Sequence, residues 1–308
     1  MYGPVEIVPF ADEHVQGAAA LLAERHVAHR AAEPLLPART DLAMYIESER
    51  EGATGAVALE EGAVVGFLLG QERENFIGRH VWSHVAGQAV REPELVRDLY
   101  AAAASRWVEN GYTRHFVFVP SHDAGLIDAW FRLSFGASAA LAVRETAPEE
   151  PFAAGVEVRH GTRNDYREAA RLEVEMSRSM QPSPSFSGIE LQTPEEVLAE
   201  WLEEDDEDFE LFVAERDGRI VGQFLLYRRP PDLRVPDGSI DLAQASTDPA
   251  ERGTGVGRAL TAHVIRWAYA HSYPTMTTDW RMTNLWASRF WPKRGFRPVF
   301  LRLYRSIP

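Results

Sequence analysis

The stretch "DPAERGTGVGRAL", residues 248–260, places three glycines in five positions and then turns apolar. Gly253, Gly255 and Gly257 alternate with Thr254 and Val256. Upstream, "GSIDLAQASTDP" (238–249) alternates as a strand does and stops at Asp248-Pro249. Downstream, "GRALTAHVIRWAYAH" has helical periodicity. The glycines therefore lie between a strand and a helix N-terminus. Such an end carries unpaired N–H groups and partial positive charge. Glycine lets the backbone bend and lets an anion approach closely, so a phosphate ligand suits this junction.

The familiar phosphate loops do not fit. A dinucleotide fingerprint, G-x-G-x-x-G, would need its third glycine at Arg258 or Leu260, and no G-x-x-x-x-G-K-[ST] string occurs. R-x-x-G-x-G does fit, at Arg252, Gly255 and Gly257. Further on, "NLWASRFWPKRGF" supplies Asn284, Ala287, Phe290, Gly295 and Phe296. The loop and this second motif together resemble the GNAT acyltransferase superfamily, over residues 155–308.

The chain also repeats itself. "VEIVPF" (5–10) answers "VEVRHG" (156–161), and "EEGAVVGFLLG" (60–70) answers "RDGRIVGQFLL" (216–226). "RWVENGYTRHFVFV" (106–119) answers "RWAYAHSYPTMTTD" (266–279), and both halves close on an apolar strand, "ASAALAVRE" and "PVFLRLYRS". An offset of about 150 to 160 residues points to a duplicated domain rather than a short-period solenoid. Each half reads as strand, helix, hairpin, strand, long helix, strand, helix, strand. The expected fold is α/β (mixed α+β): two tandem GNAT-like domains, each with a mixed, largely antiparallel central sheet flanked by helices. The boundaries are 1–147 for a first domain with a degenerate cofactor loop, 148–154 for a linker within "TAPEEPFAAG", and 155–308 for a second domain with the cofactor site.

Composition sets outer limits. The chain has 308 residues, 45% hydrophobic and 25% charged, as in a soluble globular protein. It contains no cysteine, which excludes disulfides, thiolate metal sites and cysteine nucleophiles. No His spacing suggests a metal site. The formal net charge of −14 argues against nucleic acid as a partner. The start "MYGPVEIVPF" lacks a signal pattern, and the most apolar run, "GAVVGFLLG", is too short to span a bilayer, so a cytoplasmic location is expected. Ten acidic residues in 195–210 read as a solvated helix followed by an exposed loop. Nothing here fixes the oligomeric state.

The resemblance implies an acetyl-CoA-dependent N-acetyltransferase in which a small-molecule amine attacks the thioester directly. It implies that the backbone at Gly253, Thr254, Gly255, Val256, Gly257 and Arg258, beside Arg252, holds the coenzyme A pyrophosphate. The pantetheine arm would pair with the strand near Ala245 and Thr247, and Asn284 would contact that arm. Some relatives carry a catalytic Glu on this strand. Here Asp241 is the candidate base, since strict alternation would place it on one face with Ala243, Ala245 and Thr247; ending a strand near "PDGS" is its simpler role. Trp280, Trp286 and Trp291 are candidates for the acceptor cleft, with core packing as the alternative. Trp291 stands where the family often has the Tyr that protonates the leaving thiolate, and indole has no titratable proton near neutrality. A non-catalytic acyl-CoA-binding protein therefore stays open, as does transfer to a thiol-linked amine of the mycothiol type.

The first half departs from the motif. Its matching segment "AVREPELVRDL" (89–99) has no glycine and offers Glu92, Glu94 and Asp98. Near "SHDAGLIDAWF" it has Ala124 where the second half has Asn284. One cofactor site per chain is expected.

Overall fold

A computed structural model describes residues 5–75, 77–203, 209–230 and 232–308. Of the acidic segment 195–210, residues 204–208 lie outside the described residues; a helix precedes them at Pro194–Glu203 and a strand follows from Phe209.

The chain forms two compact units, and these differ from the two sequence halves. Unit 1 contains Met1–Ala140, Asp232–Arg234 and Pro298–Pro308; unit 2 contains Leu141–Pro231 and Val235–Arg297. The last strand of the sequence thus belongs to unit 1.

Unit 1 runs β1 (Val5–Pro9), α1 (Val15–Ala32), α2 (Leu42–Arg50), β2 (Ala53–Glu60), β3 (Ala63–Asn75), β4 (Gly78–Ser83), β5 (Gln88–Val90), α3 (Leu95–Glu109), β6 (Arg114–Pro120) and α4 (Ala124–Phe131). β7 (Gly136–Glu145) follows and continues into unit 2. The strand order is β1-β2-β3-β4-β6-β13, where β13 is Arg297–Ser306, and β5 pairs with β3. β4 and β6 are parallel, and β1 with β2, β2 with β3, β3 with β4, β3 with β5 and β6 with β13 are antiparallel. Leu303 of β13 is fully buried with Trp107 and Trp130 in this unit's core.

Unit 2 repeats the plan with β8 (Glu157–His160), α5 (Tyr166–Ser179), α6 (Pro194–Glu203), β9 (Phe209–Arg216), β10 (Arg219–Tyr227), β11 (Ile240–Thr247), α7 (Val256–Ala270), β12 (Thr275–Arg281) and α8 (Leu285–Phe290). The order is β12-β11-β10-β9-β8, antiparallel except for β11 with β12. The duplication reaches the turns. β2–β3 turns at Glu61 and Gly62 (φ 51° and 80°), and β9–β10 at Asp217 and Gly218 (φ 50° and 74°). Two consecutive positive φ values are the hairpin geometry that matches strand twist.

One polar knot pins the entry of α5. Arg159 donates to both carboxylate oxygens of Asp165, at 2.8 and 2.9 Å, and the Thr162 N–H adds a bond at 2.8 Å. The Arg159 hydrogen bonds hold the Asp165 carboxyl down at about 2. A carboxyl depressed in the folded chain stabilises above its unfolded pKa, near 4, and loses that contribution as pH falls toward 2. Asp165→Ala is expected to cost about 1.5–3 kcal/mol at neutral pH and to leave a shallower loss of stability between pH 4 and 2. Urea denaturation at both pH values checks this; an unchanged midpoint would show that the pair contributes nothing.

Candidate cofactor and acyl-transfer site

Three features of unit 2 build the site. The first is the glycine turn. Gly253 and Gly255 have φ of 81° and 98°, and Gly255 is the N-cap of α7. The first bond of the helix runs from the Ala259 N–H to the Gly255 carbonyl, 2.9 Å. The N–H groups of Gly255, Val256, Gly257 and Arg258 precede it, as at any helix N-terminus. All four residues line a cleft of about 510 Å³.

The second is strand divergence. β11 and β12 pair only from Ile240↔Met276 to Leu242↔Thr278, although β11 runs on to Thr247 and β12 to Arg281. β11 stays paired on its other edge with β10 up to Thr247. The edge of β11 near Ala245 is thus left open toward an extended ligand, and Ala245, Ser246 and Thr247 line the same cleft.

The third is charge. Arg252, Arg258 and Arg294 line the cleft. Glu251, the carboxylate among them, is bound by Arg216, which also donates to the carbonyls of Ala154 and Gly155. Arg258 lies 3.8 Å from the Phe152 ring centroid and Arg294 4.5 Å from that of Phe290. Burial, then Arg258, lowers the Arg294 pKa from its ordinary value. Net positive charge beside free N–H groups suits a polyanion.

The sequence-predicted residues divide among three places. Ala245, Thr247, Arg252, Gly253, Thr254, Gly255, Val256, Gly257, Arg258 and Asn284 all line the cleft. Asn284 also caps α8, its Oδ1 accepting from the N–H groups of Trp286 and Ala287 at 3.1 and 3.2 Å. The tryptophans do not form one wall. Trp286 lies 68% exposed at the lip; Trp291 is buried against Phe224, Phe290 and Phe296, with part of it reaching the cleft; Trp280 is buried and lines no part of it.

Asp241 departs from the expected alternation. Leu225 pairs with Gln244 but Leu226 pairs with Leu242, so Ala243 is an extra residue in β11. A one-residue bulge reverses the alternation beyond it. Asp241 therefore shares a face with Gln244 and Ser246, opposite the face of Ala245. Its carboxylate accepts from Arg229 at 2.8 Å and from Thr277 Oγ1 at 2.7 Å, and it does not line the cleft. Sequence reasoning missed Phe152, Met176, Ser179, Phe224 and Arg294 as lining residues. Phe152 was legible only as an aromatic residue in an otherwise Pro/Ala/Glu-rich linker.

The corresponding place in unit 1 is built differently. The first N–H groups of α3 are already used: Leu95 donates to Glu92, Val96 to Pro93 and Arg97 to Glu94, at 3.0–3.2 Å. Where β4 and β6 part, the Gln88 amide reaches across and donates to the Phe118 carbonyl at 2.5 Å. The side chain in the capping position of Asn284 is Asp123 and not Ala124: Asp123 caps α4 through the Leu126 N–H and pairs with Arg25 at 2.7 Å. Among the described residues no group of three metal-ligating side chains occurs, and no helix is long and apolar enough to cross a membrane.

Comparison with known proteins agrees with this geometry. Residues 175–296 match the model of the acetyltransferase (GNAT) family. The second part of the chain therefore carries a GNAT domain, a fold that supports acyl transfer in general. A GCN5-related N-acetyltransferase from Sphaerobacter thermophilus superposes with a TM-score of 0.63 at 15% identity, over 99% of this chain and 96% of that one. A tandem GNAT protein from the clavulanic acid biosynthesis pathway gives 0.55 at 15% identity, over 98% of each chain. A GCN5-related N-acetyltransferase from Kribbella flavida gives 0.50 at 14% identity, over 88% and 97%. No curated protein matches the sequence. The whole chain has the fold of a tandem GNAT protein.

Proposed function

We propose that the chain is an acetyl-CoA-dependent N-acetyltransferase acting on a small-molecule amine, with its one cofactor site in the second domain (155–308) and a first domain (1–147) that has lost its own. The observation that carries this is the meeting, in one cleft, of the open glycine turn, the arginines and the free edge of β11. The turn N–H groups with Arg252 and Arg258 would hold the pyrophosphate. The edge at Ala245–Thr247 and Asn284 would hold the arm and direct the thioester between the diverging strands. Holding donor and amine together is itself worth several kcal/mol of barrier. With Trp291 in place of a phenol, the leaving thiolate takes its proton from water. Asp241 is not kept as the base, because it does not line the cleft and its carboxylate is held by Arg229 and Thr277.

The net charge of −14 and the absence of cysteine favour a cytoplasmic protein whose partner is a small molecule and not nucleic acid. Trp291 also favours a second reading, a non-catalytic acyl-CoA-binding protein. Calorimetric titration with acetyl-CoA is expected to give one site per chain. A stoichiometry of two, or binding that survives loss of the glycine turn, would overturn the single-site assignment. Release of free thiol in the presence of a panel of amines separates enzyme from binder.

A further inference from the structure

The bulge at Ala243 turns a set of polar side chains onto the face of β10 and β11 that packs against α5. Gln223 and Ser246 are direct cross-strand partners, 0% and 5% exposed. Both polar atoms of the Gln223 amide, the Ser246 hydroxyl and Gln244 Oε1 are buried without a hydrogen-bond partner among the described residues. Four orphaned polar atoms side by side are costly in a core unless something polar meets them. Beside them lies a carboxylate: Glu173 of α5 accepts from Gln244 Nε2 at 2.8 Å and from Trp201 Nε1 at 3.1 Å. The seam meets the cleft, since Ser246 lines it, as do Met176 and Ser179, one and two turns along α5 from Glu173.

We propose that Glu173 is the base of the acyl transfer, reached from the acceptor through water held by Ser246 and Gln223. This rests on the acetyltransferase reading above. The water takes a proton from the acceptor ammonium and passes one to the Glu173 carboxylate; the lone pair so freed bonds to the thioester carbon, the carbon–sulfur bond breaks, the second nitrogen proton passes to solvent, and the departing thiolate takes a proton from solvent. The bonds from Gln244 and Trp201 fix the carboxylate's orientation. Other charged groups on the surrounding elements are engaged elsewhere: Asp241 with Arg229, Arg171 with Glu168 and Asp248, Glu175 with Arg178, and Glu195 with Arg167.

The test uses the full chain, acetyl-CoA and 2-phenylethylamine as the amine probe, with thiol release as the rate and calorimetry for acetyl-CoA affinity. Glu173→Gln is expected to lower kcat about 100-fold or more at neutral pH, within the range of a well-placed base. Acetyl-CoA affinity should stay unchanged, and the deficit should narrow as pH approaches the pKa of the amine, which then arrives neutral. Turnover within threefold of the unaltered chain at every pH would overturn the proposal. Should Glu173→Gln fail to fold, Ser246→Ala and Gln223→Leu decide. Each removes a hydroxyl or amide that has no hydrogen-bond partner among the described residues, so each should keep or raise the thermal midpoint while lowering kcat about tenfold; unchanged kcat in both would overturn the proposal. Acetyl-CoA binding without thiol release dependent on any amine of the panel in the unaltered chain would overturn the acetyltransferase reading itself, and this inference with it.

Discussion

Gly257→Glu is expected to weaken acetyl-CoA binding about 100- to 1000-fold while leaving the chain folded. The position separates binding from folding better than its neighbours do. Gly255 has φ 98°, and a Cβ there would come within 2.9 Å of the Phe152 ring, so a substitution would strain the turn before any ligand arrived. Gly257 lacks both problems. Its added Cβ would meet Phe290 Cζ at 3.6 Å and Thr247 Oγ1 at 3.7 Å, ordinary contacts. A side chain there lies on the cleft lining, and its carboxylate would set a like charge near the pyrophosphate beside the backbone N–H groups. At about 4 Å and an effective dielectric of 20, two unit charges repel by about 4 kcal/mol, close to a factor of 1000. Calorimetry and circular dichroism on the same sample check it. Native-like affinity in a folded Gly257→Glu chain would remove the turn from the cofactor site.

Trp291→Ala is expected to cost about 3–5 kcal/mol of stability, the range for emptying a large aromatic site. Trp291 is 5% exposed, and its ring lies 4.9 to 5.9 Å from those of Phe224, Phe290 and Phe296. Phe296 closes the second motif, and Phe290 also carries Arg294, so the hole would loosen the cleft wall as well as the core. Trp291→Phe keeps most of the apolar contact and should retain most of the turnover, because no proton transfer is assigned to the indole. Chemical denaturation and thiol release on the two variants check this. A collapse of turnover in Trp291→Phe, with binding of both substrates unchanged, would give the indole N–H a direct part in the chemistry.

The sequence by itself determined the glycine turn, the helix behind it, the duplication and the hairpins, because each is written in local terms. Positive φ calls for glycine or a short polar residue, and apolar spacing of two or of three to four residues selects strand or helix. The second motif was equally local, since Asn284 caps a helix that begins at the next residue. Tertiary structure alone decided three further matters. It inserted Ala243 as a bulge, which separated Asp241 from the face of Ala245 and Thr247 and brought Gln244 to Glu173; a bulge depends on pairing with β10, and alternation within one strand does not reveal it. It buried Trp280 while leaving Trp286 at the lip, a difference set by which face of which element each occupies. It also placed β13, the last strand of the second repeat, against β6 in unit 1, from Phe300↔Pro120 to Ser306↔Arg114. An apolar strand satisfies its hydrogen bonds at any compatible sheet edge, so its own residues specify that it pairs, and only the assembled neighbours specify with which strand.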